Sequence, residues 1–141
     1  LLTAAGRSFH FIPGWNARSA CRFHRRSNVV VCVLEFVRWV PKRAAPTWRP
    51  ELKLMFDCFH VQMTEGDLTN RLSALLPIIG PIQFASAPFR GTPDRGEVNF
   101  GHVFRHIDQM GWDRPLGAEY LPEGPTQDSL SWLRAAKANA L

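Results

Sequence analysis

Strands and helices in alternation, three of each over residues 52 to 139, give this 141-residue chain an α/β reading with a parallel sheet and right-handed crossovers. Three observations carry it. Short apolar runs of strand character recur, each is followed by apolar residues at helical spacing, and the composition (45% hydrophobic, 21% charged) is that of a globular domain.

The first strand is Leu52-Lys53-Leu54-Met55-Phe56, a buried-type run that ends on Asp57. A helix between Thr64 and Leu76 follows, with Leu68, Leu72, Leu75 and Leu76 on one face and Thr64 or Asp67 as its cap. The second strand, Ile82-Gln83-Phe84-Ala85, begins after Pro81, since proline is tolerated at a strand's first residue. A polar loop leads to Asn99. Phe100, Val103, Phe104, Ile107 and Met110 then form a second helical stripe, which Gly111 closes as a left-handed cap. Pro115 to Tyr120 is the third strand, and Thr126 to Asn139, with Leu130, Trp132 and Leu133, the third helix.

Charge divides the chain. Residues 1 to 50 carry nine Lys/Arg against the single acid Glu35, a net +8, whereas the remainder carries −3, so the sequence pI near 9.7 belongs to one end. Nucleic acid is therefore not the expected partner of the strand-helix units. The basic part has scattered aromatics and four prolines, and only Asn28 to Val40 reads as an element, with six valines favouring a strand. Arginines among aromatics between Arg18 and Arg26 suit an arm that meets anions, and a solvated, weakly ordered arm is the plainer reading. No apolar run approaches the roughly 20 residues that cross a bilayer, so a membrane span is excluded and a cytoplasmic setting is expected. The three cysteines (Cys21, Cys32, Cys58) form no CxxC pair and are read as free thiols, with Cys58 in packing.

In parallel sheets the working residues sit at the carboxyl ends of strands. The polar residues there are Asp57, Gln83 and Glu119, 26 and 36 positions apart, about one strand-helix unit each. An unpaired charge in an apolar strand costs several kcal/mol to bury. Two carboxylates and an amide oxygen are hard donors that suit a divalent cation such as Mg²⁺ or Mn²⁺. Each acid taken singly is also a common helix cap or ion-pair partner. His60 is a candidate for contacting substrate or a ligand, and Arg90, like Arg95, for clamping a carboxylate substrate.

The strings Leu52 to Gln62, Glu65-Gly66-Asp67-Leu68-Thr69, Gly96-Glu97-Val98-Asn99-Phe100 and Gly117-Ala118-Glu119-Tyr120 resemble the C-terminal part of the hydroxypyruvate isomerase family, within the xylose-isomerase-like TIM barrels. The resemblance covers residues 52 to 134. It implies the C-terminal half of a (β/α)8 barrel, with Asp57, Gln83 and Glu119 as ligands of one divalent metal, His60 and Arg90 near the substrate, and Glu119 as one of two glutamates that move a proton through an enediolate. The implied reaction is hydroxypyruvate to tartronate semialdehyde, or that of a related small keto-acid or keto-sugar.

Two departures qualify what is implied. A complete barrel needs about 250 residues, so residues 51 to 141 supply three of its units, and the open edge invites self-association. The second glutamate of the family lies about 35 positions before Asp57, one unit earlier, and that place here is near Arg22. Glu35 fits neither by spacing nor by neighbours. Residues 1 to 50 are accordingly read as a basic extension foreign to the barrel, a fusion or a segment translated in another frame, and turnover by the chain alone as impaired. The competing class is a non-catalytic or pseudoenzyme chain whose basic arm binds an anionic partner.

Overall fold

The structure, a computed structural model, describes residues 53–137 and, as backbone, two short strands near the N-terminus. The basic stretch Arg18 to Arg26, Glu35 and the expected element Asn28 to Val40 lie outside the described residues. Five strands form one sheet: β1 (Leu2–Ala4), β2 (Arg7–Phe11), β3 (Leu54–Asp57), β4 (Ile79–Phe84) and β5 (Leu116–Ala118), in the order β1-β2-β5-β4-β3. The contacts β3–β4, β4–β5 and β2–β5 are parallel, and β1–β2 is antiparallel. The three expected strands are thus adjacent and parallel, as part of a TIM-barrel-like fold. The N-terminal pair was not expected from the sequence. Ser8-Phe9-His10-Phe11 does alternate polar with apolar, but over too few residues to stand out.

Strand alternation sorts the side chains onto two faces. Phe56, Ile82 and Leu116 share one register row, and Phe84 and Ala118 the next. Both rows are buried in the main core with Leu68, Leu72, Phe100, Val103, Phe104 and Ile107 from the helices. The opposite face carries the row Asp57, Gln83, Gly117, which β2 continues at the register position of His10.

Among the described residues, four α-helices cover the apolar face: α1 (Cys58–Thr64), α2 (Leu68–Leu75), α3 (Phe100–Gln109) and α4 (Trp132–Lys137). The sequence placed one helix between Thr64 and Leu76, whereas the chain turns directly from β3 into α1 and starts again at α2. Thr64 therefore ends a helix, and Asp57, not Thr64, caps it. Asp67 precedes α2 in left-handed backbone without a side-chain cap bond, its carboxylate accepting from Asn70 Nδ2 at 2.7 Å instead. Strand β4 begins at Ile79, earlier than expected, and Pro81 sits at a register irregularity where no ladder donor is required. The stripe on α3 is buried as its spacing predicts, and Gly111 (φ +76°) follows as the left-handed residue. The last helix starts later than Thr126, since Asp128–Ser131 forms a 3₁₀ turn before α4, and Ala138 and Asn139 lie outside the described residues. Phe84 organises this end of the core, with Phe104 edge-on at 5.0 Å and Trp132 at 5.6 Å between ring centroids. Trp132 Nε1 donates to Tyr120 Oη at 3.2 Å, which fastens α4 to the segment after β5.

Candidate functional site

The site lies where β3, β4 and β5 end. Asp57 is the last residue of β3, and its extended backbone (φ −101°, ψ 108°) turns the chain into α1. Oδ1 accepts from the backbone N–H of Phe59 (3.0 Å) and of His60 (3.5 Å). Capping thus fixes the carboxylate with one oxygen. Oδ2 remains, 3.7 Å from Arg90 Nη2 and 3.6 Å from His60 Nε2. The helix-cap reading of this aspartate is met by Oδ1, and Oδ2 is left to face Arg90 and His60.

Gln83 is the register neighbour of Asp57 on β4 and is only 3% exposed. Its Oε1 is buried without a hydrogen-bond partner. Such an oxygen costs roughly 1–3 kcal/mol if nothing ever meets it. Beside it, Gly117 supplies the room: a Cβ there would come within 3.1 Å of Gln83 Cγ.

Glu119 follows β5 and is held by its own N–H donating to Phe84 O at 3.0 Å. Its Oε1 is 2.8 Å from Arg90 Nη2, and its carboxyl is in hydrogen-bonding reach of Asp57. Burial pushes the Glu119 carboxyl above the usual carboxylate range and the Asp57 charge adds to this, while the Arg90 guanidinium pulls the other way.

Arg90 comes from the loop after β4 in left-handed backbone (φ 56°), a conformation rare for a residue with a Cβ. Its carbonyl accepts from Leu121 N at 2.8 Å, which joins the loop after β4 to the one after β5. The guanidinium reaches Glu119, Asp57 and His60 Nε2, the last at 3.4 Å. Burial lowers the pKa of His60, the Asp57 charge opposes this, and Arg90 lowers it further. Cys58, next to Asp57, is wholly buried, and burial pushes its thiol far up, as the packing assignment requires.

Of the residues expected to act, Asp57, Glu119, His60 and Arg90 meet through their side chains, and Gln83 stands beside Asp57 in the sheet. Arg95 does not join them: it pairs with Glu123 at 3.3 Å on the surface. Among the described residues no three His, Cys, Asp or Glu side chains form a metal-type group, so a cation here would need the Gln83 oxygen as its third donor. Two carboxylates and one buried, unmatched amide oxygen fit a hard divalent ion. Sequence reasoning passed over Phe59, whose ring lies under Arg90. Its place between Asp57 and His60 was the available signal.

The family model described as Xylose isomerase-like TIM barrel matches residues 33–136. A putative hydroxypyruvate isomerase of Homo sapiens is 43% identical over 88 residues, which cover 62% of this chain and 32% of that protein. A 2-oxo-tetronate isomerase of Cupriavidus necator is 42% identical over 83 residues, covering 59% and 32%. Among solved structures, an AP endonuclease of family 2 from Brucella melitensis superposes with a TM-score of 0.59 at 34% identity, over 61% of this chain and 33% of that one. The chain spans about a third of the length of the curated relatives it matches.

Proposed function

Because this chain belongs to the xylose isomerase-like TIM barrel family, we propose that its three strand-helix units carry the cation- and substrate-binding end of an isomerase for a small keto-acid of the hydroxypyruvate kind. One observation carries the reading above the rest: Asp57 and Gln83 stand side by side near the ends of β3 and β4 with a buried amide oxygen left unmatched, and Glu119, just after β5, meets Asp57 through Arg90. The names of similar proteins, hydroxypyruvate isomerase and 2-oxo-tetronate isomerase, support the substrate class.

Asp57, Gln83 and Glu119 are the residues that would hold one divalent cation, Mg²⁺ or Mn²⁺. When bound, such a cation polarises the carbonyl and hydroxyl oxygens of the substrate as a Lewis acid. Arg90 offers a planar fork to the substrate carboxylate. His60 donates or accepts one hydrogen bond at a substrate oxygen. Glu119, whose carboxylate burial makes a stronger base, is poised to take the proton from the hydroxyl-bearing carbon. The C–H electron pair becomes the double bond of an enediolate, the proton returns to the former carbonyl carbon, and the hydroxyl proton passes to the former carbonyl oxygen, which leaves the carbonyl on the neighbouring carbon. A family member shares this transfer between two glutamates, and the corresponding place here is near Arg22. Turnover by the chain alone is therefore expected about 10²–10⁴-fold below that of an enzyme with both groups.

The test is Mn²⁺ titration, followed by calorimetry and by the electron paramagnetic resonance of free Mn²⁺. One saturable site is expected, abolished in Asp57→Asn and in Glu119→Gln. Absence of Mn²⁺ binding by the unaltered chain, or binding that survives both substitutions, refutes the proposal.

A further inference from the structure

Arg90 presents its fork only if something fixes the plane of the guanidinium. The edges of that plane are engaged by Glu119 and Asp57. The guanidinium carbon also lies over a ring that carries no polar atom, that of Phe59. Arg90 Cζ stands 5.1 Å from the centroid of the Phe59 ring, and the same ring meets His60 edge-on, with centroids 5.1 Å apart and planes at 70°. Phe59 is thus shared between the two groups assigned to substrate.

The ring is itself anchored. Its backbone N–H donates to Asp57 Oδ1, and its side chain is partly buried against the main core. On the other side, Arg90 has little freedom to follow a displaced ring, because its backbone is held left-handed and tied to Leu121. A guanidinium stacks on an aromatic face while its N–H groups point outward in the plane. We propose that Phe59 is a positioning residue: its ring sets the plane of Arg90 and the edge of His60, and so the affinity of the site for a carboxylate-bearing substrate. The inference rests on the reading of the site as keto-acid-binding, and it adds the element that orients the clamp.

A leucine keeps apolar bulk but has no face, and a tyrosine keeps the face. In the full chain, Phe59→Leu is expected to weaken hydroxypyruvate binding, measured by calorimetry with Mn²⁺ present, about five- to thirty-fold. Phe59→Tyr should stay within about two-fold of the unaltered chain. A second readout needs no substrate. Labelling of Arg90 by phenylglyoxal, mapped by mass spectrometry, should be slow in the unaltered chain and in Phe59→Tyr and several-fold faster in Phe59→Leu, with thermal melting verifying that each variant folds. Equal Arg90 labelling in the leucine and tyrosine variants, or equal loss of affinity in both, overturns the proposal for Phe59. Failure of the unaltered chain to bind hydroxypyruvate would instead overturn the keto-acid reading, while the labelling rates still decide whether Phe59 holds Arg90.

Discussion

Two oxygens of one aspartate do different work, and a string of letters cannot show it. Asp57 Oδ1 caps α1 and Oδ2 faces Arg90 and His60. The strand-then-acid pattern marks the residue, and only geometry divides its atoms. Gln83 is the clearer case of a residue whose cost points to a use. A buried Oε1 without a partner is destabilising, so Gln83→Met, which keeps the volume and removes the polar atoms, is expected to raise stability by about 1 kcal/mol in urea denaturation with chelator present. The same variant should bind Mn²⁺ more weakly than the unaltered chain. Stability and cation affinity moving in opposite directions is the signature of a donor kept for a ligand. Lower stability in the variant would mean that Gln83 is satisfied in the folded chain.

At the scale of elements, the apolar stripes on α2 and α3 were legible because a period near 3.6 is a local property of sequence. Helix α1 was not legible. It is seven residues long, and its start is dictated by a cap bond from a residue that also reads as a strand end. The loop from Ser86 to Glu97 is likewise a tertiary product. It is pinned by the Ser86–Gly91 bridge and by Glu97 N–H donating to Ala87 O at 3.0 Å, and it delivers Arg90. Gly96 makes the closure possible: its backbone is left-handed (φ +82°), and a Cβ there would lie 2.3 Å from Ala87 O. Gly96→Ala must therefore open the loop, with an expected loss of roughly 2–3 kcal/mol in chemical denaturation and a marked fall in keto-acid binding. Gly111→Ala is the control. It carries the same kind of backbone strain (φ +76°) but meets nothing within 4 Å, so a smaller loss of about 1 kcal/mol and unchanged binding are expected.

At the scale of the whole sheet, the described strands end in an edge at β3. Strand β3 pairs with β4 on one side, and among the described residues no strand pairs with its other side. An apolar parallel edge such as Leu54-Met55-Phe56 is a template for another chain. Analytical ultracentrifugation over a hundred-fold range of concentration is expected to show association that grows with concentration, and a single monomeric species throughout would contradict it. By itself the sequence determined that strands and helices alternate, which faces of α2 and α3 are buried, and which three residues stand at strand ends, because period, length and spacing are carried by neighbours along the chain. The tertiary structure alone decided that β2 lies beside β5, that Asp57 Oδ2 faces Arg90, and that Phe59 lies under Arg90. Those contacts join residues tens of positions apart, and their distances depend on how the sheet and its loops close in space, which no local pattern encodes.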